Sequence, residues 1–92
     1  MKNKNFLSIE TSLSRIFLVL RINEKVYSVN KYTANSIEEE LNALISKIIF
    51  KNKAEFKDLN FILVSLGPGS YTGSRVGLAA AKAISMSLEV PL

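Results

Sequence analysis

Residues 61–88 read FILVSLGPGSYTGSRVGLAAAKAISMSL, and this stretch decides the fold of the chain. Phe61 to Leu66 is a continuous apolar run of strand length, which is typical of a central strand buried on both faces of a sheet. A glycine-rich loop follows, and Arg75 to Leu88 then has the pattern of a helix that ends before Pro91. The stretch therefore predicts a buried strand, a tight loop and a helix.

A second helix precedes this strand. Apolar residues recur at the spacing of one helical stripe: Ile37, Leu41, Leu44, Ile45, Ile48 and Ile49. Ser36 and Glu39 fit a capping box, and Glu38 to Glu40 place negative charge at the positive end of the helix dipole. A strand that follows such a helix is reached by a crossover connection, which predicts a parallel pair in the sheet.

The chain opens with three segments rich in β-branched and apolar residues: Phe6 to Thr11, Arg15 to Ile22, and Lys25 to Val29. Only Asn23 and Glu24 separate the last two, and that spacing favours a tight antiparallel hairpin. The predicted order is β-β-β-α-β-α in one domain, residues 1–92, of the α/β class with a mixed sheet. The chain stops where a further strand normally follows, so we expect the last strand to be missing.

Composition excludes several classes of enzyme. The chain has no cysteine and no histidine, so it has neither thiolate and imidazole metal ligands nor the base of a Ser-His-Asp or Cys-His site. We therefore expect no catalytic residues, no metal and no cofactor. The early apolar runs are too short for a signal peptide or a membrane span, which predicts a cytoplasmic location.

The net charge of +4 would suit a nucleic-acid partner. The lysines are scattered along the sequence without a dense basic run, so a generally basic surface is favoured over a direct RNA-binding face. Both interpretations remain open at this level.

The glycine loop fits none of three phosphate-binding or catalytic motifs. Its outer glycines, Gly67 and Gly73, are too far apart for a Walker A loop, and no lysine follows them. The spacing of the glycines also excludes a dinucleotide-binding fingerprint and a nucleophile elbow. Two interpretations remain, a structural turn that positions the helix or a ligand or partner contact at a helix N-terminus. The residues of this loop motif are Gly67, Pro68, Gly69, Ser70, Tyr71, Thr72, Gly73 and Arg75.

Leu66-Gly-Pro-Gly-Ser-Tyr-Thr-Gly-Ser-Arg-Val-Gly-Leu-Ala, followed by Ala81-Lys82, resembles the signature of the TsaB family, also called YeaZ. The likeness extends to Phe6–Ser12, which is similar to the family's opening strand, and to Ser36–Ile49, which lies at its first helix. Glu10 departs from the aspartate usual at that position. Family members are also longer and carry a second, similar domain, which is absent here.

The resemblance implies an actin-like ATPase, or ribonuclease-H-like, half domain with a five-stranded mixed sheet. It also implies a non-catalytic partner subunit that binds TsaD, which transfers the threonylcarbamoyl group to adenosine 37 of tRNA, in a complex that the ATPase TsaE joins. Contact with tRNA would then be indirect, and a homodimer would form when TsaD is absent. The alternative is a nucleotide-binding or direct tRNA-binding domain of the actin-like ATPase superfamily.

The second helix is the candidate partner surface. Nearly every face of Val76 to Leu88 is apolar or small, whereas a helix outside a sheet needs one apolar stripe; the excess is covered either by a second domain or by a partner. Gly77, Ala81 and the neighbouring alanines are small enough to let another helix approach. With the first helix, the predicted interface residues are Leu41, Ala43, Ile45, Val76, Ala79, Ala80, Ala83, Ile84 and Ser87.

Overall fold

The computed structural model of the chain describes residues 4–11, 15–33, 37–65 and 71–90. Four strands form one mixed sheet: β1 (Phe6–Thr11), β2 (Arg15–Ile22), β3 (Lys25–Tyr32) and β4 (Phe61–Ser65). Their order is β3-β2-β1-β4, with β1, β2 and β3 antiparallel and β4 parallel to β1. This arrangement confirms the meander, the crossover and the α/β class with a mixed sheet.

The β2–β3 hairpin has the predicted two-residue loop. Asn23 and Glu24 have φ angles of 51° and 72°, and Ile22 pairs directly with Lys25. Positive φ at both central residues gives the turn the twist that antiparallel strands require. β3 continues to Tyr32, beyond the predicted end at Val29, because its polar last residues still pair with the start of β2.

Two helices pack side by side on one face of the sheet. α1 (Ile37–Lys51) lies over β2 and β3, and α2 (Tyr71–Leu88) lies over β1 and β4. The predicted stripe of α1 is buried from Leu41 to Ile49, while Ser36 of the predicted capping box lies outside the described residues. α2 begins at Tyr71, before the predicted Arg75. The glycine in its first turn, Gly73, costs about 1 kcal/mol of helix propensity and does not prevent the helix from starting there.

The core lies between the sheet and these helices. Strand residues alternate, and those that face the helices are fully buried: Leu7, Ile9, Ile16, Leu18, Leu20 and Ile62. With the stripe of α1 they form one hydrophobic cluster. Full burial of each such side chain contributes about 1.5–3 kcal/mol, so this layer dominates the stability.

The opposite face of the sheet is partly apolar and open. The rings of Phe6 and Phe61 stack there with centroids 5.4 Å apart, and Leu63 is 45% exposed. β4 is an edge strand of the described sheet, so the prediction that it is central and buried on both faces is wrong for the described part of the chain. An apolar run cannot distinguish burial on two faces from burial on one.

Asn5 joins three segments at one end of the sheet. Its side chain donates a hydrogen bond to the Asp58 carbonyl (2.9 Å) and accepts one from the Asn23 backbone N–H (2.9 Å). Its backbone N–H donates to Asn60 Oδ1, and its carbonyl accepts from the Asn60 N–H, each at 2.8 Å. This residue therefore ties the start of β1 to the β2–β3 turn and to the segment that leads into β4.

Candidate partner interface

The inner side of α2 meets the sheet through small residues. Ala81 is fully buried, and the Gly77 N–H donates to Thr11 Oγ1 on β1 across 3.2 Å. A Cβ atom at Gly77 would lie only 2.6 Å from that oxygen. The expectation that Gly77 and Ala81 serve the approach of another helix is therefore wrong, because the helix's own sheet already occupies that side.

The outer side of α2 carries apolar side chains that the described core does not cover. Ala79 and Ala83 are exposed one turn apart, and Met86 follows them with 79% of its surface exposed. Arg75 is also exposed on this outer side, and Lys82 is exposed at its margin. A surface of small residues and one methionine, with cations at its margin, is therefore available on the helix.

A groove of about 340 Å³ separates α2 from α1. Its lining residues are Glu38, Leu41, Asn42, Arg75, Val76, Ala79, Ala80 and Ala83. Val76 and Ala80 form its inner wall, since both are half-buried and pack against the core. We call this feature the α1–α2 groove; it brings together the predicted interface residues Leu41, Val76, Ala79, Ala80 and Ala83.

The predicted interface residues of α1 are less available than those of α2. Ile45 is 3% exposed, and Leu41 borders the groove but has a fully buried side chain, so the expectation that the core stripe of α1 leaves them available is wrong. Both side chains belong to the hydrophobic core. Ala43 is exposed but does not line the groove.

Ile84 and Ser87 line a second depression of about 340 Å³ at the far end of α2. Ala83 and Leu88 also contribute, and Phe56 closes it from a short 3-10 helix, Phe56–Asp58, that the sequence analysis did not predict. Ala83 belongs to both depressions. The residues predicted on α2 therefore form one surface that runs along most of the helix.

The loop motif is described only in part. Gly67, Pro68, Gly69 and Ser70 lie outside the described residues. The backbone of Tyr71, Thr72 and Gly73 belongs to the first turn of α2, and Arg75 is an exposed residue of the α1–α2 groove. That the loop serves geometry more than ligand binding stays a prediction.

Within the described ranges, no group of three or more acidic, histidine or cysteine side chains is arranged to hold a metal ion. Neither described helix is long and apolar enough to cross a membrane.

Comparison with known proteins identifies the family. The family model for TsaD, tRNA N6-adenosine threonylcarbamoyltransferase, matches residues 25–92. The tRNA threonylcarbamoyladenosine biosynthesis protein TsaB of Buchnera aphidicola subsp. Acyrthosiphon pisum is 33% identical over 86 residues, covering 94% of this chain and 39% of that protein. TsaB of Buchnera aphidicola subsp. Baizongia pistaciae is 34% identical over 88 residues, covering 96% and 40%.

Solved structures give the same answer for the fold. YeaZ from Pseudomonas aeruginosa superposes with a TM-score of 0.89 at 17% identity, covering 97% of this chain and 42% of that one. The likeness confirms the predicted α/β fold with a mixed sheet. The chain spans about two fifths of the length of the curated relatives it matches. By its matched residues and its TsaB relatives, this chain belongs to the TsaB (YeaZ) family, within the wider group of proteins that the TsaD model describes.

Proposed function

We propose that this chain acts in tRNA threonylcarbamoyladenosine biosynthesis as a non-catalytic subunit that binds TsaD through the outer side of α2 and the α1–α2 groove. The carrying observation is the exposure of Ala79, Ala83 and Met86 beside an apolar groove. In this proposal TsaE joins through the complex, tRNA modification takes place on TsaD, and the location is the cytoplasm. The same surface forms a homodimer when TsaD is absent.

A surface of this kind loses little side-chain conformational entropy when a partner binds. Alanine side chains have no rotamer entropy to lose, and they let a partner helix approach to about 8–10 Å between axes. Met86 has a flexible, polarizable side chain that adapts to an irregular partner surface. Glu38 and Arg75 place opposite charges on the two sides of the groove, which can orient the partner.

The chemistry of the groove favours docking over catalysis. Among the described residues, its only charged lining residues are Glu38 and Arg75, and the chain supplies no histidine or cysteine. We therefore expect no hydrolysis of peptides or ATP; a turnover that survives repurification and disappears in Glu10→Gln would contradict this. A thermal shift on adding ATP would instead support the nucleotide-binding alternative.

The decisive experiment introduces a charge at the centre of the surface. Ala83→Glu should weaken self-association and TsaD binding by about 100-fold or more, because the carboxylate would be buried without a partner. Ala83 suits this test better than Ala80, which packs against the core. Association is measured by sedimentation velocity and by titration with the cognate TsaD.

Lys82→Glu is the matched control. Lys82 is the neighbouring exposed residue on α2 but lines neither depression, so this variant should bind within a few-fold of the wild type. Circular dichroism checks that both variants fold. If folded Ala83→Glu still dimerises and binds TsaD like the wild type, the interface lies on another surface.

A further inference from the structure

A second groove, of about 530 Å³, lies on the other side of α1, between that helix and the edge strand β3. Leu44, Ile48 and Val29 contribute apolar side chains to it. Its polar lining residues include Tyr27, Lys31, Lys47, Lys51 and Asn52. We call this feature the α1–β3 groove.

The lysines of the groove come from segments that are distant in sequence. Lys31 lies opposite Ile16 in the antiparallel register, which places it on the helix-covered face of β3. Lys47 and Lys51 stand one turn apart on α1 and are both exposed. Folding therefore gathers cations that appear scattered along the chain, and the described residues of the lining include no carboxylate.

Among the described residues, only one of these cations forms an ion pair with a carboxylate. Glu40 Oε1 lies 3.8 Å from Lys31 Nζ, whereas Lys47 and Lys51 form no ion pair within the described part of the chain. The Lys47–Lys51 pair is a like-charge neighbour pair that slightly destabilises the helix. The helix dipole favours Lys51 in the last turn, but its effect has faded by Lys47.

Edge protection does not explain the cluster either. Lysines on an edge strand prevent strands of other molecules from pairing, and this accounts for Lys31. It does not account for two lysines on a helix that line the same groove. The two helix lysines, Lys47 and Lys51, line a concave surface and have no ion-pair partner among the described residues.

We propose that the α1–β3 groove binds RNA directly through its phosphate backbone. Lys47 and Lys51 would neutralise phosphates as point charges, and Tyr27 offers an aromatic ring. Asn52 Nδ2 donates one hydrogen bond to the Ile48 carbonyl (2.7 Å) and has a second N–H to donate to the RNA. The partly buried Tyr27 ring suits a nucleic acid better than an acidic peptide, which presents carboxylates but no bases to stack. This inference does not rest on docking to TsaD, since that surface lies on the other side of α1.

The test compares two double variants that remove the same charge. Lys47→Gln/Lys51→Gln removes it from the groove, and Lys57→Gln/Lys82→Gln removes it from exposed sites outside the groove. Binding of a fluorescent tRNA transcript to the full chain is followed by anisotropy from low to physiological salt. The groove variant should bind about tenfold more weakly, and its salt slope should fall by about 1 for each lysine.

The control variant should stay within about twofold of the wild type, because long-range charge alone is screened at physiological salt. Equal weakening in the two variants would overturn the proposal, since binding would then follow net charge and not the groove. Absence of salt-sensitive binding by the wild type would also overturn it. So would displacement of tRNA by polyglutamate as readily as by unlabelled tRNA, which would point to an acidic protein.

Discussion

Gly77→Ala tests how α2 is seated on the sheet. An added Cβ atom would lie 2.6 Å from Thr11 Oγ1 and 3.4 Å from both Thr11 Cγ2 and Ile9 Cγ2. The first distance is shorter than any ordinary contact, so either the helix moves away or the buried threonine side chain rotates. Either movement disturbs the hydrogen bond from the Gly77 N–H to Thr11 Oγ1.

Two costs and one offsetting gain determine the expected change in the free energy of unfolding. Overpacking of this kind costs about 1–3 kcal/mol, and a disturbed buried hydrogen bond costs about 1 kcal/mol more. The higher helix propensity of alanine relative to glycine offsets about 1 kcal/mol of this cost. The variant should therefore lose about 1–3 kcal/mol of unfolding free energy, and a domain of this size would melt about 4–8 °C lower for each kcal/mol.

The assay is urea unfolding followed by circular dichroism, with a double-mutant cycle as its control. Thr11→Ala removes both threonine atoms that the new Cβ would contact, so Gly77→Ala should cost much less in that background than in the wild type. A coupling energy near zero would show that the clash is absorbed elsewhere. If Gly77→Ala alone raises stability, helix propensity dominates and the close contact has been given too much weight.

Two further predictions concern stability. Glu24, Lys53 and Glu89 have φ angles of 72°, 57° and 57°, a backbone conformation that strains residues with a side chain. Replacing each by glycine should therefore raise the free energy of unfolding by about 0.5–1 kcal/mol, measured by thermal or urea unfolding. An unchanged or lower value would contradict the strain argument. Asn5→Ala should lower the free energy of unfolding by about 1–2 kcal/mol, because two side-chain hydrogen bonds are lost. Hydrogen exchange at the Asn23 amide should become faster in this variant. Unaltered exchange would show that the Asn23 N–H does not bond to Asn5 Oδ1.

The residue pattern within short segments of the sequence predicted most of the fold. The bounds of β1 and β2, the hairpin at Asn23 and Glu24, and the buried stripe of α1 agree with the structure, since each depends on residues close together in the chain. The edge position of β4 was not predicted, because a strand's place in a sheet depends on which other strands are present. Sequence periodicity holds no such information.

The candidate surfaces were predicted less completely for the same reason. Small residues on α2 indicated a close contact, but only the fold shows that Gly77 faces Thr11 while Ala83 faces outwards. The lysines gave no local signal, since Lys31 and Lys47 come together only when α1 packs beside β3. Asn5 was overlooked because a single asparagine before a strand resembles any loop residue.

Helix α1 is the element that the two proposed surfaces share. Leu41 and Asn42 line the groove towards α2, whereas Leu44 and Lys47 line the groove towards β3. A rigid helix with its stripe buried in the core holds both surfaces in fixed relation, because moving it would expose Ile48 and Ile49. A protein seated over α2 would therefore leave the lysines of the α1–β3 groove accessible. Under the two proposals, this arrangement would let one small domain bind a protein and an RNA at the same time without competition between them.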